Sequence, residues 1–540
     1  MSTPDLSYEA LRRRFTWQIP DRFNMGVACA DAHEPNRTAL IAVDSESRSR
    51  TVSFGELARL SDRLAGLLTG MGIGRGDRVG VVVPQSLETG IAHLAIWKLG
   101  AVSLPLASLF GPDALGYRLS DSEAKLVIVS PDNFEKVREA APDLPLLITG
   151  ETMEERLAAV RGEFAAVDTD SEDPAYLIYT SGTTGPPKGA LHAHRSLFGH
   201  LPGFECYYEF ADAPPEGRAD LATLPDRGPV DERHDIIWTP ADWAWIGGLM
   251  DVLVPAWYFG MTVVTADHDF DPEWAADLMA DHRVTLSFLP PTALKMMRAV
   301  GVSRAEDLVL RAVFTGGEAL GEEMLSWGNE HLGARINEGY GQTECNLVVG
   351  NCSSLWPVRP GSMGRAIPGH DIQVQDDEGN RLIGRVGEIC VRAPDPVMML
   401  EYWNRPDGTE EKYRKGWLLT GDLGVEDEDG YLWFKSRKDD VIMSMGYRIG
   451  PGEIEESLMG HPAVALCAVV GVPDELRGEV PAAFVVLRSG FEPSPDLAAQ
   501  LQQHVRTRLA AHEVPRRVEF VDDLPRTTTG KIMRRALRDR

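Results

Sequence analysis

The sequence predicts an α/β protein: a large N-terminal domain of mainly parallel sheets covered by helices, a small β-rich part within it, and a small α+β domain at the C-terminal end. Three observations carry this. Apolar, β-prone runs alternate with helical patterns up to about residue 317, and beyond about residue 360 the texture changes to short strands with turn signals. A charged joint, "KSRKDD" (435 to 440), then separates this from a last segment of mixed pattern, which divides the chain into domains at 1–436 and 437–540.

Taken in order, the β-prone runs are "RVGVVVP" (78 to 84), "AVSLPL" (101 to 106), "KLVIVS" (125 to 130), "AYLIY" (175 to 179), "MTVVT" (261 to 265), "RVTLSFLP" (283 to 290) and "RAVFTGG" (311 to 317). In "SLETGIAHLAIWKLG" the residues Leu87, Ile91, Leu94 and Trp97 recur at helical spacing, which predicts a helix with one apolar face. Residues 191 to 201 read as a helix, so the stretch after "AYLIY" is expected at a strand-to-helix turn. Trp245 to Val264 is long enough for a membrane span, but Asp251, Pro255 and Gly260 interrupt it and predict a buried helix followed by a buried strand. Later come "GHDIQVQDDEGNRL", "GEICVRAP" and "LGVEDEDGYLWFKS", where Asp429-Gly430 predicts a hairpin with the acidic run Glu426 to Asp429 as its solvated tip. The last segment mixes helical "GEIEESLMGH" with β-prone "VALCAVVGV" and "AAFVVL".

Composition narrows the function. A formal charge of −27 over 540 residues argues against general attraction to nucleic acid or anionic membrane, so any polyanion must be held by a local site. The six cysteines are scattered without a CxxC pair, which fits reduced thiols, and the N-terminal "MSTPDLSYEALRRRFTW" has no apolar core after its arginines; both predict a cytoplasmic protein.

The stretch "YTSGTTGPPKGA" concentrates glycines, hydroxyls and one lysine. Glycines let backbone pass close to a ligand, successive N–H groups can point at an anion, and the hydroxyls of Thr180, Ser181, Thr183 and Thr184 add donors, so Thr180 to Lys188 reads as a polyphosphate cradle that includes Gly182 and Gly185. It is not a Walker A motif, because Lys188 follows Pro187 and precedes Gly189. His192 and His194 are read at a helix start, a spacing that disfavours a metal pair there, and no Gly-x-Ser-x-Gly elbow occurs.

Five further islands follow: "FTGGEAL" (314 to 320), "NEGYGQTE" (337 to 344), "LLTGDLG" (418 to 424), "SRKDDVIMSMGYRIGPGEIE" (436 to 455) and "LPRTTTGKIMRR" (524 to 535). With the phosphate loop, their order and spacing resemble the adenylate-forming superfamily over about residues 50 to 535, and within it the medium-chain acyl-CoA synthetases. The resemblance implies that a carboxylate attacks the α-phosphorus of ATP, that pyrophosphate leaves, and that the thiol of coenzyme A takes the acyl group from the adenylate. It implies catalytic roles for Lys531, Thr343 and Glu344, with Glu344 holding Mg2+ and Thr343 reaching the α-phosphate. It places Gly317, Glu318, Glu338, Gly339, Tyr340, Gly341 and Gln342 along the nucleotide, Asp422 and Arg437 on the ribose, Arg448 on phosphate and Lys531 on the forming carboxyl–phosphate bridge. Tyr340 also reads as core, Glu318 as a first-turn helix carboxylate and Asp422 as a turn former. The resemblance further implies a mobile C-terminal domain, with Asp439 as its hinge and Gly446 beside the pantetheine arm of CoA.

The family's acyl pocket maps to Trp243, Trp245, Ile246, Gly247, Gly316 and Gly341. A floor of three glycines with apolar walls predicts a medium-chain, branched or aryl acid, and no arginine in these segments stands ready for a second carboxylate. Two alternatives remain beside an acyl-CoA synthetase: an adenylating enzyme that delivers to a carrier protein, and a catalytically silent nucleotide binder. The setting of Lys531 suits a lysine acetyltransferase and deacetylase as partners, and the chain is compatible with an oligomer.

Overall fold

The computed structural model describes residues 7–44, 46–161, 164–180, 186–210, 235–266, 268–302, 304–317, 320, 322–438, 440–444, 447–474, 478–509, 513–526 and 532–538. Among them, the seven β-prone runs read from the sequence all form strands, in two sheets. The first sheet runs in the order 401–402, 188–193, 174–180, 102–105, 78–82, 126–129, 146–148, with a parallel core. In the second, strands 38–43, 262–266, 236–238, 286–288, 312–316 and 335–342 are parallel neighbours. Beyond 335–342 that sheet continues antiparallel through 345–350, 364–366, 431–437, 417–426, 386–392 and 372–375, the short-strand region.

Period-two alternation splits each strand between two cores. Leu126 and Ile128 face the central core while Val127 and Val129 face an outer one; Ala312 and Phe314 face in while Val313 faces out. The central core lies between the two sheets and takes in helix Leu87–Lys98, helix Ser196–Tyr207 and the helical stretch 246–258. The outer cores sit under helices Pro112–Asp121 and Phe134–Ala140 on one side and Pro272–Asp281, Pro291–Val300 and Glu322–His331 on the other.

Two expectations are corrected by this layering. Helix Leu87–Lys98 was expected to be apolar on one face, but every residue in it except Glu88 is buried, because it is sandwiched between sheets rather than laid on one. Its terminal Lys98 is fully buried and pairs with Asp31 at 2.6 Å and Asp62 at 2.7 Å. Residues 191 to 201 were expected to be helical throughout. Instead Lys188–Ala193 is a strand, antiparallel to Pro174–Thr180 in the register Thr180↔Lys188, and the helix begins at Ser196. The glycine loop therefore closes a hairpin, and His192 lies on a strand with its ring stacked on Tyr176 at 4.7 Å. Pairing with a neighbouring strand outweighs local helical pattern.

Trp245 to Val264 does give buried helix and then strand Thr262–Ala266, and no described helix is long and apolar enough to cross a membrane. The Asp429-Gly430 turn joins Trp417–Glu426 to Tyr431–Arg437. The last segment forms its own sheet, in the order 447–449, 442–444, 478–487, 464–474, with Arg517–Phe520 parallel to 478–487.

Candidate active site

In open parallel sheets, ligands meet the carboxyl ends of strands, where loops diverge. Here the carboxyl ends of Pro174–Thr180, Ala312–Gly316 and Arg335–Gln342 carry Thr180, Gly316 and Gly317, and the stretch Tyr340 to Glu344. Three islands far apart in sequence thus open at corresponding ends of the sheets.

Asp422 is the centre of one cluster. It is buried on strand Trp417–Glu426, directly across from Arg437 on the next strand. Its Oδ2 accepts from the Tyr340 hydroxyl at 2.7 Å and from the Gln342 side-chain amide at 2.5 Å, and its Oδ1 accepts from Arg437 Nη1 at 3.0 Å. Gln342 also donates to the Thr420 carbonyl at 2.9 Å. Asp422 is thus more than a turn former, since it ties the "YGQTE" turn to the charged joint. Nearby, Glu338 is buried, its Oε1 accepting from the Leu320 N–H at 3.4 Å while Oε2 has no partner among the described residues. Burial pushes its carboxyl up to about 8, so at neutral pH it holds a proton that it can donate.

A second cluster lies at the hairpin. The Thr180 hydroxyl donates to the Lys188 carbonyl at 3.3 Å, and the Tyr117 hydroxyl donates to the Pro187 carbonyl at 3.0 Å, which anchors the base of the loop. Arg405 donates to the Tyr117 oxygen at 2.8 Å and pairs with Asp121 at 3.1 Å, and the Tyr179 hydroxyl donates to Asp121 at 2.7 Å. The Lys188 ammonium sits 5.1 Å from the Tyr402 ring centroid, and the Tyr402 hydroxyl donates to Glu344 Oε1. Lys188 and Glu344, a cation and a buried carboxylate, thus flank one tyrosine. Glu344 Oε2 takes no hydrogen bond from a described residue, so this donor set fits a hard cation, which prefers carboxylate oxygen.

A family model described as "AMP-binding enzyme" matches residues 28–403, and one described as "AMP-binding enzyme C-terminal domain" matches residues 453–531. The chain belongs to this family. It is 34% identical to "Uncharacterized acyl--CoA ligase YtcI" of Bacillus subtilis over 93% of both chains. It is also 34% identical to the mitochondrial "Acyl-coenzyme A synthetase ACSM4" of Rattus norvegicus, covering 96% of this chain and 91% of that one. Among solved structures, a benzoate CoA ligase from Burkholderia xenovorans LB400 superposes with a TM-score of 0.82 at 28% identity, covering 96% of this chain and all of that chain (100%).

In this member of the AMP-binding enzymes, the six residues assigned to the acyl pocket do not play equal parts. Trp245, Ile246, Gly247, Gly316 and Gly341 keep partial exposure, whereas Trp243 is fully buried and packs edge-on against Trp257 at 6.5 Å, which makes it core rather than wall. Trp245 meets Phe110 edge-on at 5.6 Å. A Cβ at Gly247 would stand 3.1 Å from the Phe288 ring, and one at Gly316 would stand 2.8 Å from the Gly339 carbonyl oxygen and 3.3 Å from Phe314; the rings of Phe288 and Phe314 stack on each other at 5.0 Å. The depth expected behind Gly341 is absent. A Cβ there would fall 2.5 Å from the Leu347 backbone nitrogen and 2.6 Å from Asn346 Oδ1. This glycine is required by close packing of the "YGQTE" turn on the strand that follows it.

Sequence reasoning missed Tyr402, Phe288, Asp251 and Asn346, brought in by tertiary packing from stretches without a motif, and Phe314, which lies in the "FTGGEAL" island but was given no role there. Ser181, Gly182, Thr183, Thr184, Gly185, Glu318, Asp439, Gly446 and Lys531 lie outside the described residues, as does the side chain of Arg448. Either side of position 439 the joint is anchored in opposite directions. Lys438 pairs with Asp377 and Glu388 of the large domain, both at 3.1 Å, while Asp440 pairs with Arg538 at 2.9 Å and Arg534 at 3.5 Å in the last helix.

Proposed function

We propose that the protein joins a medium-chain, branched or aryl carboxylic acid to coenzyme A through an acyl-adenylate, releasing AMP and pyrophosphate. The observation that carries this is that the Asp422 cluster and the Lys188–Tyr402–Glu344 cluster are both built on the one turn from Tyr340 to Glu344, in a chain that belongs to the AMP-binding enzymes.

Asp422 offers acceptor oxygens for the paired ribose hydroxyls, and Arg437 beside it holds that carboxylate and adds a donor. Tyr340, held by its own bond to Asp422, presents a ring to adenine, with Gly317, Glu338 and Gly339 lining the base and Gln342 fixing the ribose acceptor. Thr180, Lys188 and the loop between them surround the β and γ phosphates. Thr343 and Glu344 face the reacting phosphate, and Mg2+ on Glu344 would neutralise charge on the pyrophosphate as it leaves. Lys531 supplies the cation at the carboxyl–phosphate bridge, and the domains 1–436 and 437–540 exchange Lys531 for the "MSMGYRIG" loop, with Gly446 and Arg448, between the two steps. Acetylation of Lys531 by a lysine acetyltransferase would remove that charge and act as an off-switch that a deacetylase reverses. The apolar walls at Trp245, Ile246, Phe288 and Phe314 suit the acyl body. The cytoplasm is the compartment that reduced thiols favour.

AMP release measured with and without CoA over a panel of straight, branched and aryl acids tests this. AMP formed only with both acid and CoA supports ligation to CoA. Adenylate accumulating with no response to CoA overturns it in favour of delivery to a carrier protein.

A further inference from the structure

Beside Gly247 and Gly341, two of the glycines assigned to the acyl pocket, the packing is polar. Asp251, on the helical stretch 246–258, is 5% exposed, and its Oδ1 accepts from the Asn346 side-chain amide at 2.5 Å. Asn346 stands on the strand that follows the "YGQTE" turn and is itself 5% exposed. The Asp251 backbone carbonyl accepts from Tyr208, but its Oδ2 takes no hydrogen bond from any described residue. That oxygen is 3.7 Å from the point where a Cβ would stand on Gly247, and Asn346 Oδ1 is 2.6 Å from the corresponding point on Gly341. Asn346 is therefore packed against Gly341 with no room between them, while glycine at 247 leaves Asp251 Oδ2 uncovered.

We infer that Asp251, held by Asn346, is a specificity-determining residue that takes an uncharged oxygen substituent, a hydroxyl or oxo group, at the end of the acyl body remote from the reacting carboxylate. This rests on the acid-ligating reading above and names its substrate class. An acyl end that covers Asp251 Oδ2 strips it of water, and a substrate oxygen that bonds it offsets that cost. Burial pushes the Asp251 carboxyl well above the usual carboxylate range, against the Asn346 amide that pulls it down. In its protonated form, which burial favours, the carboxyl has Oδ1 accepting from Asn346 and carries its proton on Oδ2, where it would meet an oxygen acceptor. A plain hydrocarbon end would leave that O–H unpaired, and sites built to bond a hydroxyl discriminate strongly against the analogue that lacks it.

The test compares an ω-hydroxy acid with the plain acid in which a methyl replaces the hydroxyl, and a hydroxybenzoate with the matching toluate, by kcat/KM for CoA-dependent AMP release. The wild type should prefer the oxygen-bearing member by about tenfold or more. Asp251→Leu should cancel or invert that preference, Asp251→Asn should keep part of it, and Gly247→Ala, which covers Oδ2, should lower the hydroxy acid more than its plain partner. If the wild type takes both members equally, or if Asp251→Leu and Gly247→Ala move both equally, the inference is overturned while ligation to CoA stands. If neither acid of any pair yields CoA-dependent AMP, the ligase reading fails first and takes this one with it. A terminal amine preferred over the hydroxyl would also overturn it, since that requires an ionised Asp251.

Discussion

Glu338 is a carboxyl that folding keeps protonated, and the sign of its effect on stability follows. Its pKa is raised from 4.5 to about 8 by burial, so the folded chain retains a proton that the unfolded chain releases above 4.5. Stability from this group is full below about pH 4.5 and is lost as pH rises towards 8, at about 1.4 kcal/mol per pH unit through that window. Glu338→Gln keeps the shape and removes the charge, so the fall in Tm of the nucleotide-free protein between pH 5 and 8 should be shallower than in the wild type, at roughly a degree or more per unit. Parallel Tm curves for the two proteins would mean that Glu338 is solvated. At Asp422 the expected effect is on binding. Asp422→Ala removes a carboxyl acceptor worth about 1.5–3 kcal/mol, so ATP should bind roughly 10- to 100-fold more weakly by calorimetric titration. Unchanged affinity would take Asp422 out of the nucleotide site.

Helix Leu87–Lys98 shows how an element's surroundings overrule its pattern. Sandwiched between sheets, it ends on a lysine with no exposure, which is tolerated because two carboxylates close on it. Lys98→Met keeps the apolar stem but strands Asp31 and Asp62. Their side chains are 34% and 33% exposed, so the cost should be about 2–3 kcal/mol, below that of a wholly buried pair, and visible as a lower denaturant midpoint. Arg304 also pairs with several carboxylates, Asp277, Asp281 and Asp307, but on the surface, so Arg304→Ala should change the midpoint by less than half as much. Equal effects would show that burial does not govern the Lys98 cluster.

At the scale of the whole molecule, the joint is held from both sides: Lys438 to Asp377 and Glu388, Asp440 to Arg534 and Arg538. A hinge at position 439 would let the small domain turn as a unit with its last helix attached, because Asp440 moves with that helix. Lys531, seven residues before Arg538, should then serve only the arrangement in which the acid meets ATP. Lys531→Ala should abolish acid-dependent pyrophosphate exchange yet still convert supplied acyl-adenylate to thioester. Equal loss of both half-reactions in a folded variant would contradict domain alternation.

The sequence by itself determined the strands, since short continuous apolar runs such as "KLVIVS" and "RAVFTGG" mark strands of a sheet whose two faces are both covered. It also determined the family, because the phosphate loop and "NEGYGQTE" are local patterns whose chemistry is carried by adjacent residues. Tertiary structure alone decided that residues 188–193 pair as a strand, because the partner strand, not the local pattern, satisfies their backbone. It alone decided that Tyr402 meets Glu344 across 58 positions and Asp251 meets Asn346 across 95. Such pairs leave no mark in spacing or composition. They arise only when residues from different elements converge in the fold, which is also why the Asp251–Asn346 pair beside Gly247 and Gly341 was invisible in a sequence that showed only the glycines.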